Sequence, residues 1–276
     1  MKNKRNYLVE DEFFGEGVKV LFTKKSLFSS SFFLMMNRET SESFQRLELL
    51  LNKEEGIVIK NLFVPNAEHT DRIINLDKNP DWKYAVYGEY RDILLSMPKG
   101  LCDSIYTRDK DKMLAVMPGD CCVIAVYDCE SKIRCIIHAG WRGIKENIIQ
   151  KTMEKLKIEG LILRSTKAIC FPSISYENYE VGKEIGEDFL KLISDMGLNR
   201  ENHIKYNAEK ESYNLNLKKI QIEQLKDSGI SLKDICIMDF DTYSSREQNG
   251  TYMFHSYRRD RDEWRNIAIL TGETMK

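Results

Sequence analysis

Two short segments of this chain set a thiol and an imidazole near each other. Gly119-Asp120-Cys121-Cys122 opens an apolar run, Cys122–Tyr127, and a second run, Arg134–Ile137, leads into His138-Ala139-Gly140-Trp141-Arg142-Gly143. The polar residues Asp128–Lys132 between them read as a turn, so the runs are expected to be antiparallel strands whose far ends, carrying Cys121 and His138, lie side by side. A thiol and an imidazole at one sheet edge suit either a metal half-site or a nucleophile–base pair. The plain alternative is a core cysteine beside a hydrogen-bonded histidine. The residues after His138 add chemistry. Gly140 and Gly143 flank Trp141-Arg142, and the stripe Ile144, Ile148, Met153 and Leu156 reads as a helix starting at about Ile144. Glycines let backbone N–H groups approach a ligand, a helix N-terminus carries partial positive charge, and Arg142 brings a permanently charged fork. The segment is expected to cradle a phosphate or another small anion beside His138.

The remaining candidates are weaker. Cys122 should face away from Cys121 along the strand and belong to the core. Cys129 and Cys135 flank the turn as bystanders. Seven cysteines with no CxxC pair support neither a disulfide framework nor a zinc ribbon. Imidazoles are scarce: His69, His138, His203 and His255 are the whole supply. That speaks against a multinuclear copper cluster, which consumes many. His203 and His255 stand among charged residues and are expected to be exposed, with pocket lining as the alternative for His255, which is close to Arg258. The charged run Arg258–Glu263 reads as a solvated face.

These residues must be positioned by strands and helices in alternation. Lys19–Thr23, Ile57–Val64, Arg72–Leu76, Met113–Met117, Lys167–Phe171 and Asp234–Met238 read as further strands. Ser41–Leu51, the stripe Val181, Ile185, Phe189 and Leu192, and Leu215–Leu225 read as further helices. The segment 79–100 reads as an insertion or a hairpin. The 276 residues include 42 Lys+Arg against 43 Asp+Glu, 42% hydrophobic and 31% charged residues, with only five prolines and no linker-like stretch. We therefore expect one domain over 1–276, of α/β (mixed α+β) class, with mixed β-sheets flanked by helices. A near-neutral net charge of −1 gives no footprint for nucleic acid as the main partner. The polar residues Met1–Asp11 lack the apolar core of a secretory signal, and no stretch is long and apolar enough for a bilayer, so a cytoplasmic location without membrane partners is expected.

His138-Ala139-Gly140-Trp141-Arg142-Gly143 resembles the signature of the laccase-domain family, also called YfiH-type or polyphenol-oxidase-like, whose members are also described as purine nucleoside phosphorylases with deaminase side activity. Asp103-Ser104-Ile105-Tyr106-Thr107, Gly119-Asp120-Cys121, Tyr179-Glu180-Val181-Gly182, Ser256-Tyr257-Arg258-Arg259-Asp260 and the later Arg265 resemble the family's other segments, in the family's order. The resemblance implies a YfiH-like fold and a metal site made of a histidine from a Gln-Val-His-Gly segment, the cysteine of Ala-Asp-Cys and the histidine of the hexapeptide. Ala67-Glu68-His69-Thr70-Asp71-Arg72 is similar to the first of these, which points to His69, Cys121 and His138 as metal-ligating and catalytic residues. A competitor, Gly88-Glu89-Tyr90-Arg91, would put Glu89 in the place of His69. His69 is preferred because Asp71-Arg72 and the β-branched residues behind it also fit.

An N/S/N set with one open position suits a catalytic zinc ion, with copper as the alternative. The implied substrates are a purine nucleoside and phosphate, the latter bound by Arg142, Gly140 and Arg258, in a monomer or homodimer. Deamination of adenosine would also want a carboxylic acid or base, for which Asp120 and Glu68 are candidates. Competing classes are a metal-free thiol hydrolase or deamidase using Cys121 and His138, a copper-dependent polyphenol oxidase (laccase), and a metal-binding protein with lost activity. The chain departs from the family pattern at Phe171–Asn178, at Asp241-Thr242-Tyr243 and at Glu263-Trp264-Arg265, which bears on pocket shape.

Overall fold

The computed structural model describes residues 1–15, 17–27, 30–31, 38–59, 61–78, 82–86, 94–98 and 101–272. The chain begins with β1 (Lys2–Asn3), β2 (Tyr7–Glu10), β3 (Val20–Thr23), β4 (Ser30–Ser31) and helix α1 (Arg38–Glu55). Next come β5 (Asn61–Phe63), β6 (Ile73–Asn75), β7 (Trp82–Val86), β8 (Leu94–Pro98), β9 (Ser104–Thr107) and β10 (Met113–Val116). The centre is β11 (Cys122–Asp128), β12 (Ile133–Ala139), α2 (Trp141–Lys145), α3 (Ile148–Ile158) and β13 (Thr166–Cys170). Last are β14 (Glu180–Gly182), α4 (Lys183–Asp195), β15 (Ile204–Asn207), β16 (Ser212–Leu215), α5 (Leu217–Asp227), β17 (Ile235–Ile237), α6 (Tyr257–Asp260), β18 (Trp264–Arg265) and β19 (Ala268–Leu270).

Two large mixed sheets dominate this α/β fold. One has the order β1-β2-β3-β19-β10-β5-β8-β7 and the other β17-β13-β11-β12-β9-β6. Phe44, Leu47 and Leu51 of α1 cover the outer face of the eight-stranded sheet, packing with Tyr7, Leu62 and Ile269. The two sheets bury a second core between them, and the helices α2 to α5 bury a third against the far face of the six-stranded sheet. Strand β11 shows the period of two that this layering requires. Cys122, Ile124 and Val126 face the helices, while Val123, Ala125 and Tyr127 face the other sheet.

β11 and β12 pair antiparallel, with Cys122 opposite Ala139, Val123 opposite His138 and Asp128 opposite Ile133. The expected hairpin is therefore present, and Cys121 and His138 lie at its open end. At its closed end Asp128 is fully buried. Its carboxylate accepts hydrogen bonds from the Ser131 and Ser165 hydroxyls, from Glu130 N–H at 3.1 Å and from Ile162 N–H at 2.7 Å.

Several elements differ from the sequence reading. Lys19–Thr23 is preceded by two strands, and the buried Tyr7, Leu8 and Val9 of β2 were hidden by their charged neighbours. Within 79–100, β7 and β8 pair antiparallel, as a hairpin would; residues 79–81, 87–93 and 99–100, including Glu89, lie outside those described. The helix expected from Ile144 is two helices, because Asn147 sits in the left-handed region at φ 59° and interrupts the turn. Asparagine tolerates that conformation better than most residues. Val181 belongs to β14 and pairs with Tyr213, so α4 starts later than its apolar stripe suggests. No helix among the described residues is long and apolar enough to cross a membrane.

Replacing Asp128 by alanine strips four donors of their acceptor in a place that water does not reach. Asp128→Ala should destabilise the fold by about 2–3 kcal/mol, read as a lower midpoint of urea unfolding. An unchanged midpoint would mean that the turn holds without this carboxylate.

Candidate functional site

His138 sits at the next-to-last position of β12, and Cys121 directly precedes β11. His69 reaches the same point from the loop between β5 and β6, with φ at 60°. For a residue other than glycine this left-handed backbone is strained, and such strain persists only where the surroundings enforce it. One potential ligand atom from each of His69, Cys121 and His138 lies within 4.8 Å of the others. The two imidazole centroids are 5.1 Å apart. Gly140 permits the approach: a Cβ there would stand 2.3 Å from His69 Nδ1 and 3.5 Å from Cys121 Sγ. The glycine is thus required by packing under the His69 ring, a different need from the anion cradle expected of it.

Sequence reasoning gave Asp103 no role. It is fully buried just before β9. Its Oδ1 accepts His69 N–H at 3.1 Å and bonds His138 Nδ1 at 2.7 Å, and its Oδ2 accepts Thr70 N–H at 2.6 Å and the Thr70 hydroxyl at 2.7 Å. The only signal in the sequence was its place in the Asp-Ser-Ile-Tyr-Thr match. Burial would lower the pKa of His138, but the Asp103 carboxylate and Cys121 overcome it and push it up to about 10. Burial and the neighbouring His138 push His69 down to about 4. Asp103 itself is held below the usual carboxylate range, because its hydrogen bonds outweigh its burial.

Asp120, a candidate acid or base, is committed elsewhere. Its carboxylate accepts from the Thr242 hydroxyl at 2.6 Å, the Ser256 hydroxyl at 3.0 Å and Arg258 N–H at 2.7 Å. Burial still raises its pKa. Through these bonds Asp120 ties the residue before Cys121 to the start of α6. The run Arg258–Glu263, read as a solvated face, therefore borders the site. Arg258 stacks 5.1 Å from the Tyr179 ring and donates to the Glu180 carbonyl.

A cavity of about 560 Å³ opens onto His69, Cys121 and His138. Arg142, Arg258, Arg261 and Arg265 line it together with the rings of Trp141, Tyr179 and Tyr257 and with Glu68. The Arg142 guanidinium lies 4.3 Å over Trp141. Because α2 has only five residues, positive charge here rests on the arginines far more than on a helix end. Two departures from the family pattern meet nearby: the Asp241 carboxylate accepts from Ser175 N–H at 2.9 Å and from Asn178 Nδ2 at 2.7 Å.

His203 and His255 are 3% and 2% exposed, contrary to the expectation of exposure. His203 Nδ1 bonds the Asn199 carbonyl at 2.7 Å, and His255 stacks on Trp264 while its N–H donates to Asn266. Charged sequence neighbours concealed both because the backbone turns them inward. Neither joins the site, and Cys122 and Cys135 are core residues.

Residues 28–272 match the family described as multi-copper polyphenol oxidoreductase laccase. The chain belongs to this laccase-domain family. A relative named purine nucleoside phosphorylase, from Aquifex aeolicus, is 30% identical over 212 residues, covering 76% of this chain and 82% of that protein. Adenosine deaminase RL5, from an unknown prokaryotic organism, is 27% identical over 143 residues, 52% of each chain. The crystal structure of YlmD from Geobacillus stearothermophilus superposes with a TM-score of 0.75 at 19% identity, covering 99% of this chain and 98% of that one. The hypothetical protein YfiH of Bacillus licheniformis gives 0.74 at 20% identity, with 99% and 98% covered. The laccase-domain chain thus has a YfiH-like fold.

The two imidazoles should leave opposite marks on the stability of the metal-free protein. The folded state prefers neutral His69, so that contribution is present above the ordinary pKa of 6.5 and is lost as pH falls towards about 4. It prefers protonated His138, so that contribution is present below 6.5 and is lost as pH rises towards about 10. Urea unfolding across pH should show His69→Gln flattening the acid limb and His138→Gln the alkaline limb. A profile unchanged in both variants would contradict these shifts.

Proposed function

We propose that this laccase-domain protein is a metal-dependent purine nucleoside phosphorylase, with zinc held by His69, Cys121 and His138. The observation that carries this reading is the convergence of two imidazoles and a thiol at the floor of an arginine-lined cavity, in a chain whose relative over three quarters of its length is named for that activity. The donor set fits a zinc ion: two nitrogens and a sulfur with room for a fourth partner. His69 Nδ1, buried and without a hydrogen-bond partner, is consistent with a ligand role. Zinc there supplies a Lewis acid that polarises an oxygen or nitrogen of the substrate; copper suits the same donors.

The chain's own residues do the rest. Arg142 and Arg258 bind phosphate, with Arg261 and Arg265 adding positive charge at the same rim. Trp141, Tyr179 and Tyr257 offer flat apolar faces to the purine. Phenol oxidation by several coppers is disfavoured, because the described residues bring together one group of three potential ligands. Deamination of adenosine is a second reading, favoured by the relative named adenosine deaminase. A metal-free thiol hydrolase using Cys121 and His138 predicts full activity in zinc-free protein.

The test is a panel of inosine, adenosine, guanosine and methylthioadenosine with and without phosphate, alongside elemental analysis. Phosphate-dependent release of base with about one zinc per chain is expected. Ammonia release that ignores phosphate would favour deamination, and activity without metal would favour the thiol class.

Two substitutions test the parts. Gly140→Ala should push the His69 ring aside and weaken zinc binding at least tenfold while circular dichroism stays unchanged; unaltered zinc affinity would remove His69 from the site. Arg142→Lys keeps the charge and loses the fork, so the apparent Michaelis constant for phosphate should rise by about 1–3 kcal/mol in free-energy terms, with metal content intact. Unchanged phosphate kinetics would rule out Arg142 as the anion contact.

A further inference from the structure

We propose that Asp103 is a positioning residue that preorganises both imidazoles for metal capture, an inference resting on the zinc site proposed above. Four donors converge on its carboxylate: His69 N–H, Thr70 N–H, the Thr70 hydroxyl and His138 Nδ1–H. Its backbone takes part as well. Asp103 C=O accepts His138 N–H at 2.7 Å, and Asp103 N–H donates to the Arg72 carbonyl at 3.1 Å. One residue therefore grips the loop that carries His69 and the strand that carries His138.

Each bond has a separate consequence. The bond to His138 Nδ1 orients the ring and keeps a proton on that nitrogen, so Nε2 is the nitrogen left to a metal. The bonds to the 69 and 70 N–H groups hold the chain at the left-handed His69, whose backbone would otherwise relax towards an unstrained region and carry the ring away. The carboxylate can do this because it is wholly buried and accepts at both oxygens. An amide cannot. Asparagine offers one acceptor oxygen, so at least one side of the arrangement faces an NH₂ group. If that side is His138, the ring must accept at Nδ1 and carry its proton on Nε2, the atom the metal needs.

The experiment is Asp103→Asn in the full chain. Zn²⁺ affinity is measured against a competing chelator, and the His138 Nδ1–H proton is followed by NMR in the metal-free protein. The expected result is a 10- to 100-fold loss of zinc affinity, together with loss or a large shift of the Nδ1–H resonance. Wild-type affinity with an unmoved resonance would overturn the proposal. If Asp103→Asn does not fold, Thr70→Val decides, since it removes one donor to Oδ2 and leaves the carboxylate in place. A loss of threefold or more in zinc affinity supports the grip on the His69 loop, and an unchanged affinity overturns it. Substituting His69, Cys121 and His138 separates this inference from the one beneath it. If none of those changes affects zinc uptake, the metal reading fails, while the Nδ1–H resonance still tests the Asp103 bond by itself.

Discussion

The antiparallel pairing of β11 with β12 is the constraint on which the site depends. With Val123 opposite His138, the strand geometry sets Cys121 and His138 side by side before any side-chain interaction is considered. A slip of one residue would turn His138 into the other face of the sheet and bring an aliphatic neighbour to the open end. Such a slip is opposed along the whole hairpin, because both faces are buried and each carries its own apolar set. β9 then pairs with β12, Ser104 opposite Ile137, and places Asp103 beside His138.

Around that hairpin, three buried carboxylates and the half-buried Asp241 do the fastening. Burying a charge is costly unless donors surround it. Asp103, Asp120, Asp128 and Asp241 each accept at least three hydrogen bonds, and each joins segments far apart in the chain. Asp103 joins the His69 loop to β12, Asp120 joins the Cys121 turn to α6, and Asp241 joins its own loop to the segment after β13. The balance differs among them. Hydrogen bonds prevail at Asp103, Asp128 and Asp241, whose pKa values are lowered, while burial prevails at Asp120. The Asp241 contacts also make sense of two departures from the family pattern. Asn178 and Asp241 lie against each other, so the changed positions form one local unit instead of two independent losses.

The family description and the names of the relatives pull in different directions, one towards copper oxidation and the others towards purine chemistry. The function proposed above follows the second. Among the described residues one group of two imidazoles and a thiol faces arginines and aromatic rings, and the proposed purine chemistry draws on that lining.

Much of this was legible in the order of residues. The hairpin was readable because two apolar runs flank a polar turn, and a strand's period of two allows only one facing for Cys121 and Cys122. The glycines around Trp141-Arg142 and the shortage of histidine were readable as well. Other features depended on tertiary structure. His69 is separated from Cys121 by strands that contribute to both large sheets, and no local pattern encodes that meeting. Asp103 looks like any acidic residue before a strand until four donors from two segments close on it. Gly140 reads as a ligand-binding glycine, and the fold adds a second need for it, because a Cβ there would meet the His69 ring, about seventy residues away in the chain. His203 and His255 read as surface residues because sequence shows only their charged neighbours, whereas burial is decided by what packs over them. Local periodicity follows from the backbone's own geometry and is written in nearby residues; convergence across strands depends on sheet order, which only the folded chain supplies.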